Sequence, residues 1–337
     1  MENKKLAVLG GGSWATAIMK ILLHSENQLC KTNKINWWIR DDEIKNAIEQ
    51  FGHNPHYLSS VKFDPSKILI RTDLKEIIAD SEILILVIPS AFLDLALHGL
   101  SSADLKNKII CSAIKGIVPQ TQQVVGEYLV SQWGVEVSNF SLISGPSHAE
   151  EIALEKLTYL TAASQTPELA KMMADIFACR FVQTRVSDDI YGIEYAAVLK
   201  NIYAIAVGIA KGLGYGDNFR SVLVSNALAE MKKFLEEIHD IHRSLSSAVY
   251  LGDLLVTSYS QHSRNRIFGT MIGEGYSIQS IMLEMKMVAE GYYACASVQG
   301  IKHNMDLSMP IVEAVHEILY MQQSAPVVFG KLELILK

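Results

Sequence analysis

The sequence lacks three features that would assign it to a class of protein at once: a cysteine framework, a long apolar run and an excess of positive charge. Its four cysteines are scattered and include no C-x-x-C pair, which argues for reduced thiols in a cytosolic protein and against a zinc site. They are Cys30, Cys111, Cys179 and Cys295. No apolar run reaches the roughly 18–20 residues that a membrane helix needs. The formal net charge of −6 argues against nucleic acid as a partner.

A targeting signal is missing too. The first residues, MENKKLAVLG, combine basic and apolar character, but the apolar stretch is short and runs into glycines, so we expect no signal peptide. With 337 residues, of which 49% are hydrophobic and 20% charged, the composition is that of a globular protein large enough for two domains. We expect a cytoplasmic protein without a membrane partner or a bound metal.

A glycine-rich turn near the start of the chain gives the first positive indication of function. The stretch KKLAVLGGGSWATAIMKILL has an apolar run, three glycines and a helix-like pattern of small and apolar residues. A strand, a tight turn and a helix in this order begin a dinucleotide-binding α/β domain. We expect Gly10 to take the tight turn, Gly12 to let the backbone approach a diphosphate, and Ala15 to permit close helix–strand packing. A tight turn without a ligand is the alternative.

Further strand-like runs follow, and helix-like segments separate most of them. This alternation predicts a mostly parallel, doubly wound sheet. Three runs end in turns that suit a ligand, VIPS, AIKG and SGPS, and ligands bind at this edge of open α/β sheets. The strands are predicted at residues 6–9, 35–39, 67–70, 83–88, 108–113, 140–144, 157–163 and 180–184.

The character of the chain changes near residues 186–191. Beyond this point almost everything is helix-like, with Ala-rich apolar segments and few β-branched runs. We therefore predict an α/β fold, with an N-terminal Rossmann-type doubly wound sheet in residues 1–187 and a mostly α-helical C-terminal domain in residues 188–337.

Arg40 follows the second predicted strand, where NAD-binding folds usually carry an acidic residue for the ribose 2′-hydroxyl. An arginine there suits the 2′-phosphate of NADP instead, but Asp41 and Asp42 follow directly. The choice between NAD and NADP stays open. A solvated charge at the strand end is the alternative for Arg40.

The helical domain opens with a segment that is apolar on nearly every side except at Lys200 and Asn201. Such a helix is buried, and burial lowers the pKa of a lysine. Lys200 is thus a candidate general acid or base, unless its amine snorkels to water. Asp253 could orient and balance it, with Thr257 one turn later on the same helix face. A helix N-cap is the alternative for Asp253.

Two further segments have a suggestive composition. Ser263, Arg264, Asn265 and Arg266 offer a dense group of donors at a predicted helix start, which suits phosphate oxygens. A solvated basic loop is the alternative. The segment KGLGYGDNFR, residues 211–220, is either a mobile lid or a simple connection between helices.

Several longer motifs resemble the NAD(P)-dependent glycerol-3-phosphate dehydrogenases of the bacterial cytosolic type. The resemblance extends from residue 5 to about residue 291, in the family's order and spacing. It departs from the family at Ala15, at Ala113-Ile114 and at Ser225-Asn226. It also departs in SAVYLGD, a segment in which the family is richer in glycine. The motifs are GGGSWATA, NPHYL, VIPS, AIKGI, SGPSHAEE, LKNIYAIAVGIAKGLGYGDN, ALAEM, LGDLLVT, SRNR and VAEG.

The resemblance implies roles for individual residues. It implies that Lys200 is the catalytic lysine, with Lys115 and Asp253 beside it. Substrate contacts are implied for these three and for Gly145, Ser147, Ser263, Arg264 and Asn265. Cofactor contacts are expected, from the resemblance and from the glycine turn together, for Gly10, Gly12, Ser13, Trp14, Arg40, Lys115, Ala149, Arg264, Val288 and Glu290.

The expected activity is reversible NAD(P)H-dependent reduction of dihydroxyacetone phosphate to sn-glycerol 3-phosphate, which supplies phospholipid synthesis. NAD or NADP is the expected cofactor, the phosphorylated ketone or alcohol the small-molecule partner, and a homodimer the expected assembly. Two alternatives stay open. One is a related hydroxyacid dehydrogenase with a Rossmann domain and a helical domain, and the other is a nicotinamide-nucleotide sensor without turnover.

Overall fold

The computed structural model describes residues 4–285, 289–303, 305 and 307–337. The chain divides into two compact units: Met1–Ile114 with Val125–Ile190, and Lys115–Val124 with Tyr191–Lys337. The segment Lys115–Val124 therefore groups with the later helices, although it lies between strands of the first unit in sequence. The boundary between residues 187 and 188 stays a prediction for the functional domains.

An eight-stranded sheet organises the first unit, in the order β10-β9-β8-β5-β4-β1-β2-β3. All neighbouring strands are parallel except β8 and β9. This is the mostly parallel, doubly wound sheet that the sequence predicts. The strands of the chain are β1 (Leu6–Leu9), β2 (Ile35–Trp38), β3 (Ile68–Arg71), β4 (Ile83–Leu86), β5 (Ile109–Ser112), β6 (Ile117–Val118), β7 (Gln123–Val124), β8 (Phe140–Ser144), β9 (Thr158–Ala163) and β10 (Val182–Ser187).

All eight predicted strands are confirmed, with ends that shift by a few residues. Two differences have a physical reason. The predicted run at residues 83–88 ends as a strand at Leu86, because the neighbouring strands β1 and β5 end opposite that residue, at Leu9 and Ser112. The antiparallel pair β6–β7 was not predicted, since strands of two residues carry no periodicity.

Apolar residues on both faces of the sheet are buried. Val8 and Ile85 belong to one hydrophobic cluster that includes Ile18 of the first helix, and Ala7 and Leu84, their neighbours along the strands, are also fully buried. Because successive side chains of a strand point to opposite faces, both faces are covered. The helices of this unit are α1 (Ser13–Leu23), α2 (Gln28–Thr32), α3 (Asp42–Phe51), α4 (Leu74–Ala79), α5 (Leu93–Leu97), α6 (Ser102–Leu105), α7 (Val125–Trp133), α8 (Ala149–Ala153) and α9 (Pro167–Phe177).

In the residues that the structure describes, the regular elements of the second unit are helices and the β6–β7 pair. A π-helical turn, Ala248–Gly252, leads directly into the helix that begins at Asp253. The helices are α10 (Ile190–Gly212), α11 (Asp217–Ile238), α12 (Asp253–Tyr259), α13 (Arg264–Gly273), α14 (Ile278–Glu284), α15 (Glu290–His303), α16 (Pro310–Tyr320) and α17 (Ala325–Leu332).

Glycines bring α10 and α13 into backbone contact. A Cβ atom added to Gly208 would lie 2.2 Å from the Arg266 carbonyl oxygen, and one added to Gly269 would lie 2.1 Å from the Ile205 carbonyl oxygen. Gly212 and Gly273, one turn further along each helix, are equally confined. This close packing holds the N-terminus of α13 beside the middle of α10.

The helix α10 is long and apolar enough to cross a membrane by length and composition. Its most apolar window has a mean hydropathy of 1.4, and that window is buried throughout. A buried helix of this kind is typical of the core of a large protein. The expectation that this segment is buried is confirmed.

The connection between α10 and α11 is a short turn that is anchored by several contacts. The Tyr215 backbone N–H donates to the Ala210 carbonyl, and Gly214 has a φ of +88° that closes the end of α10. The Tyr215 ring stacks on Phe219, and its hydroxyl donates to Glu333 at the end of α17. These contacts join the turn to the last helices.

All four cysteines are buried. Burial raises the pKa of Cys30 to about 11 and that of Cys111 to about 12, and it raises the pKa of Cys179 and Cys295 as well. Their thiols are therefore protonated at neutral pH.

Candidate active site

The glycine turn of the first unit lies between β1 and α1. Gly10 has a φ of +141°, and a Cβ atom there would lie 2.5 Å from the Val87 carbonyl oxygen, which follows β4. No other residue type fits this position without strain. Since β1 has β2 on one side and β4 on the other, the turn lies at the point where the strand order reverses, the usual ligand site of such sheets.

Gly12 is the N-cap of α1 and leaves open space around it. A Cβ atom on Gly12 would meet no other atom within 4 Å. The helix has no side-chain cap at this end and no acidic residue in its first turn. Backbone N–H groups at such an end suit the diphosphate of a dinucleotide. Ser13 and Trp14 follow as its first two residues, and the Trp14 indole donates to the Ala113 carbonyl at 2.9 Å.

A second turn of this kind follows β8. Gly145 has a φ of +129°, and a Cβ atom there would lie 2.7 Å from the Tyr159 carbonyl oxygen. The Ser147 hydroxyl donates to the Gly145 carbonyl at 2.8 Å, and Ala149 begins α8. The turns after β1, β4, β5 and β8 follow four neighbouring parallel strands. They therefore lie along one edge of the sheet, as predicted.

In the second unit, two lysines converge on one aspartate. The Lys200 ammonium donates to Asp253 Oδ1 at 2.6 Å and to Thr257 Oγ1 at 3.1 Å. The Lys115 ammonium donates to Asp253 Oδ2 at 3.3 Å. Asp253 is 1% exposed and Lys200 is 5% exposed. A buried carboxylate with a cationic partner on each oxygen is held in one orientation.

The geometry excludes both alternatives for this cluster. Lys200 does not snorkel to water, because its ammonium is buried on Asp253 and Thr257. Asp253 is not an N-cap: Gly252 holds that position in α12, and no side chain caps the helix. The π-helical turn leads directly into Asp253, and the carboxylate contacts the two lysines. Such turns are frequent at functional sites.

Burial and charge set the protonation of the pair. Burial lowers the pKa of Lys200 to about 8; the negative charge of Asp253 opposes this shift, and the positive charge of Lys115 adds to it. Burial alone would raise the pKa of Asp253, but the charges of Lys115 and Lys200 hold it below its ordinary value. Near neutral pH the site thus holds a carboxylate beside a lysine that can both give and take a proton.

A chain of amide hydrogen bonds surrounds this cluster. Asn201 Nδ2 donates to the Lys115 carbonyl at 3.2 Å, and Asn201 Oδ1 accepts from Asn265 Nδ2 at 3.0 Å. Asn265 Oδ1 then accepts from the Gly291 backbone N–H at 2.9 Å. Asn201 is not among the predicted site residues, although its place beside Lys200 in an apolar helix was a signal.

The hydrogen-bond donors at the start of α13 differ in their surroundings: some bond to the protein itself, and one is exposed. The Ser263 hydroxyl caps the helix by accepting from the Arg266 N–H at 3.3 Å, and the Arg266 side chain donates to the Ser260 carbonyl at 2.9 Å. Arg264 is exposed. Burial raises the pKa of Glu290, and the charges of Arg264, Lys200 and Lys115 oppose this shift, which places Glu290 near all three.

Comparison with known proteins identifies the family. Residues 5–170 match the model for the N-terminus of NAD-dependent glycerol-3-phosphate dehydrogenase, and residues 189–329 match the model for its C-terminus. The chain belongs to the NAD-dependent glycerol-3-phosphate dehydrogenase family.

Individual relatives agree over almost the whole chain. A glycerol-3-phosphate dehydrogenase [NAD(P)+] of Chlorobium limicola is 33% identical over 94% of this chain and 93% of the relative. Another from Bacillus subtilis is 33% identical over 94% of this chain and 90% of the relative. The crystal structure of glycerol-3-phosphate dehydrogenase from Coxiella burnetii superimposes with a TM-score of 0.88 at 26% identity, covering 98% of this chain and 99% of that one.

Family membership decides between the hypotheses drawn from the sequence. The chain is an NAD(P)-dependent oxidoreductase of the glycerol-3-phosphate dehydrogenase type, and neither a hydroxyacid dehydrogenase nor a nucleotide sensor is favoured. A D-mandelate dehydrogenase structure matches with a TM-score of 0.59 at 13% identity, which shows a shared fold alone.

The site residues that the family resemblance implies fall into three groups. Lys115, Lys200 and Asp253 are in direct contact, and Asn265 joins them through Asn201. Val288 lies outside the described residues. The remaining predicted residues have the positions given above, and their contacts with substrate or cofactor stay predictions.

The residues that follow β2 bear on the choice between NAD and NADP. Arg40 is exposed two residues beyond this strand. Asp41 caps α3 by accepting from the N–H groups of Glu43 and Ile44, at 2.8 and 3.4 Å. Its carboxylate is therefore engaged with the helix, which the sequence alone could not show.

Proposed function

We propose that the chain reduces dihydroxyacetone phosphate to sn-glycerol 3-phosphate, reversibly, with Lys200 exchanging the proton. The observation that carries this proposal is the buried contact of Lys200 with Asp253 and Thr257. The bound nicotinamide supplies or accepts the hydride. As the ketone gains a hydride, its oxygen becomes an alkoxide and needs a proton and nearby positive charge. Lys200 provides the proton, and in the reverse direction its neutral amine accepts the proton of the alcohol.

Asp253 and Lys115 complete this acid–base pair. Asp253 holds the Lys200 ammonium in one direction through its 2.6 Å contact and compensates its charge. Lys115, on the other carboxylate oxygen, adds a second positive charge that favours the alkoxide. The amide of Asn201 holds the backbone of Lys115, and this keeps the second lysine in place.

The start of α13 is the anchor for the substrate phosphate in this proposal. Arg264 offers an exposed guanidinium and Asn265 a buried amide. The Ser263 hydroxyl uses an acceptor position for the helix cap and keeps a hydrogen to donate. Binding energy from this non-reacting end would position the ketone. Gly145 and Ser147 are further substrate contacts in the proposal.

The cofactor contacts proposed for this chain include the glycine turn. Gly10, Gly12, Ser13 and Trp14 would hold the diphosphate end, because α1 begins there without a side-chain cap. Arg40 would hold the adenosine end, and its charge lets it accept the 2′-phosphate of NADPH. The other contacts are Lys115, Ala149, Arg264, Val288 and Glu290.

The setting of the enzyme belongs to the same proposal. We propose, from the resemblance alone, a cytoplasmic homodimer that supplies glycerol phosphate for phospholipid synthesis. Small phosphorylated metabolites are then its partners, and nucleic acids and membranes are not. The domains are residues 1–187 for the dinucleotide and residues 188–337 for the substrate.

Absorbance of reduced nicotinamide tests the function directly. Purified protein is mixed with NADH or NADPH, and dihydroxyacetone phosphate is then added. We expect oxidation of NADH, of NADPH or of both, and the ratio of the two oxidation rates ranks the two cofactors. Arg40→Ala should lower the rate with NADPH more than the rate with NADH. Tight binding of cofactor without oxidation would contradict the proposed reaction.

The two directions of the reaction should depend on pH in opposite ways. Because the pKa of Lys200 is lowered to about 8, the ammonium is depleted as the pH rises through 8. We expect kcat/KM for ketone reduction to fall about tenfold per pH unit above this point, and kcat/KM for alcohol oxidation to fall similarly below it, because kcat/KM reports the pKa of the free enzyme. Profiles of kcat/KM from pH 6 to 10 measure this. Parallel profiles in both directions would contradict the role of Lys200.

Replacing Arg264 should affect the phosphorylated ketone selectively. We expect Arg264→Ala to raise KM for dihydroxyacetone phosphate at least about tenfold, because a charge-assisted contact to phosphate is lost. The control is kcat/KM for dihydroxyacetone, which has no phosphate; it should stay unchanged when both substrates are compared at saturating cofactor, which removes any effect of Arg264 on cofactor binding. Arg264→Lys keeps the charge without the fork, so its KM should be intermediate. Equal losses on both substrates would place the phosphate elsewhere.

A further inference from the structure

Side chains hold all three carbonyl groups of the glycine turn. The Gly10 carbonyl accepts from Trp37 Nε1 at 2.7 Å, and the Gly11 carbonyl accepts from Asn54 Nδ2 at 3.1 Å. The Gly12 carbonyl accepts from Thr16 Oγ1 and also from the Thr16 backbone N–H, both at 2.9 Å. The three donors come from β2, from the loop after α3 and from α1, and each is fully buried.

The three donors also support one another. Asn54 Nδ2 donates to Thr16 Oγ1 at 3.0 Å as well as to Gly11. Its Oδ1 accepts from the backbone N–H groups of His56 and Tyr57, both at 3.1 Å. Because these N–H groups require the oxygen on their side, the amide nitrogen must face the glycine turn. The orientation of Asn54 is therefore fixed.

Fixed carbonyls imply fixed N–H groups. In a trans peptide unit the carbonyl and the N–H of the next residue point in opposite directions. With the carbonyls of Gly10, Gly11 and Gly12 held by Trp37, Asn54 and Thr16, the N–H groups of Gly11, Gly12 and Ser13 face away from these donors. Consecutive N–H groups in a turn form an anion-binding concavity.

We propose that Trp37, Asn54 and Thr16 are positioning residues that preorganise the glycine turn for the dinucleotide diphosphate. Glycine has more backbone freedom than any other residue, and ordering it on binding would weaken affinity. The three hydrogen bonds remove this freedom before the ligand arrives. The inference rests on the proposed cofactor role of Gly12 and Ser13, and it assigns a function to the NPHYL segment, whose first residue is Asn54.

Binding measurements on matched variants test the proposal without turnover. Thr16→Val removes the hydroxyl and keeps the shape, whereas Thr16→Ser keeps the hydroxyl. Asn54→Ala removes the amide. Asn36→Ala is its control, because Asn36 is 2% exposed in the same unit and donates to Ser81 Oγ at 2.8 Å, without contact to the turn. The dissociation constants of NADH and of ADP-ribose are measured by calorimetry, with thermal unfolding as the test of folding.

Thr16→Val removes the two hydrogen bonds of the hydroxyl, to Gly12 and to Asn54, and Asn54→Ala removes all four hydrogen bonds of the amide. Because the turn is then looser, each variant should raise both dissociation constants about tenfold. Thr16→Ser and Asn36→Ala should stay within about twofold of the unchanged protein. At saturating NADH, kcat should be retained while KM for NADH rises. Hydrogen exchange of the amides of residues 11–13 should quicken in the two weakened variants.

Two results would overturn the proposal. One is a folded Thr16→Val protein with unchanged dissociation constants, and the other is a loss of kcat without any loss of cofactor affinity. If Asn54→Ala fails to fold, the Thr16→Val and Thr16→Ser pair still decides. If the unchanged protein did not oxidise NADH after addition of dihydroxyacetone phosphate, the proposed reaction would be contradicted. The proposal on the glycine turn would not be affected, because the binding measurements require no substrate.

Discussion

Replacement of Lys200 by methionine should lower kcat by about 10³-fold or more and leave NADH binding and the fold intact. Methionine fills similar space but has no proton to give and no positive charge to meet the alkoxide, so two contributions to the rate disappear together. The remaining buried charge, Asp253, still has Lys115 as a partner at 3.3 Å, which limits the loss of stability. Stopped-flow absorbance at saturating substrate and cofactor measures the effect on the chemical step.

Lys302 provides a matched control for this experiment. It lies in the same unit, is 9% exposed and is paired with a carboxylate, that of Glu313. Its ammonium also donates to the Leu307 carbonyl at 3.2 Å. Lys302→Met should therefore destabilise the fold at least as much as Lys200→Met and retain kcat. If both variants lost turnover equally, the effect of Lys200 would be structural and the assignment would fail.

Gly269→Ala should lower the free energy of unfolding by about 3 kcal/mol or more, since α10 and α13 would have to separate. The added methyl group would lie 2.1 Å from the Ile205 carbonyl oxygen, and the nearest atoms are backbone that cannot rotate away. Separation of the helices would also stretch the 3.0 Å bond between Asn201 and Asn265. Urea denaturation followed by circular dichroism measures the loss, and kcat of the folded fraction should fall with it.

Gly330 tests whether the contact, and not the loss of a glycine, is responsible. It lies in α17 of the same unit, and a Cβ atom there would meet nothing within 4 Å. Gly330→Ala should leave stability unchanged or raise it by up to about 1 kcal/mol, because alanine favours a helix. Equal destabilisation by the two substitutions would show that close packing of α10 on α13 is not what Gly269 provides.

Local patterns in the sequence were sufficient to predict the sheet and the burial of Lys200. The strands are short apolar runs bounded by turns, and Lys200 stands out because it interrupts a helix that is otherwise apolar. Asp253, the partner of Lys200, is harder to predict from such patterns. Asp253 follows a glycine at a helix start, which indicates an N-cap, whereas in the structure a π-helical turn precedes it and its carboxylate contacts Lys200.

Contacts between distant segments were beyond the sequence patterns. Asn201, Asn265 and Gly291 are joined by side-chain amides, and amides carry no periodicity that indicates a partner. Likewise, the glycines of α10 and α13 are ordinary in composition, and only the structure shows that each faces the other helix. The segment Lys115–Val124 illustrates the same limit, because it follows β5 directly in sequence and yet packs with the later helices.

The burial of every thiol has a practical consequence for work on this enzyme. Protonated, shielded cysteines react slowly with maleimides, with iodoacetamide and with peroxide, because the thiolate is the reactive form. The native thiols of the unchanged protein should therefore take up little of a spectroscopic probe that reacts with cysteine. A single cysteine introduced at an exposed position, such as Lys75→Cys, would take a spin label or a fluorophore selectively, with no need to remove Cys30, Cys111, Cys179 or Cys295 first.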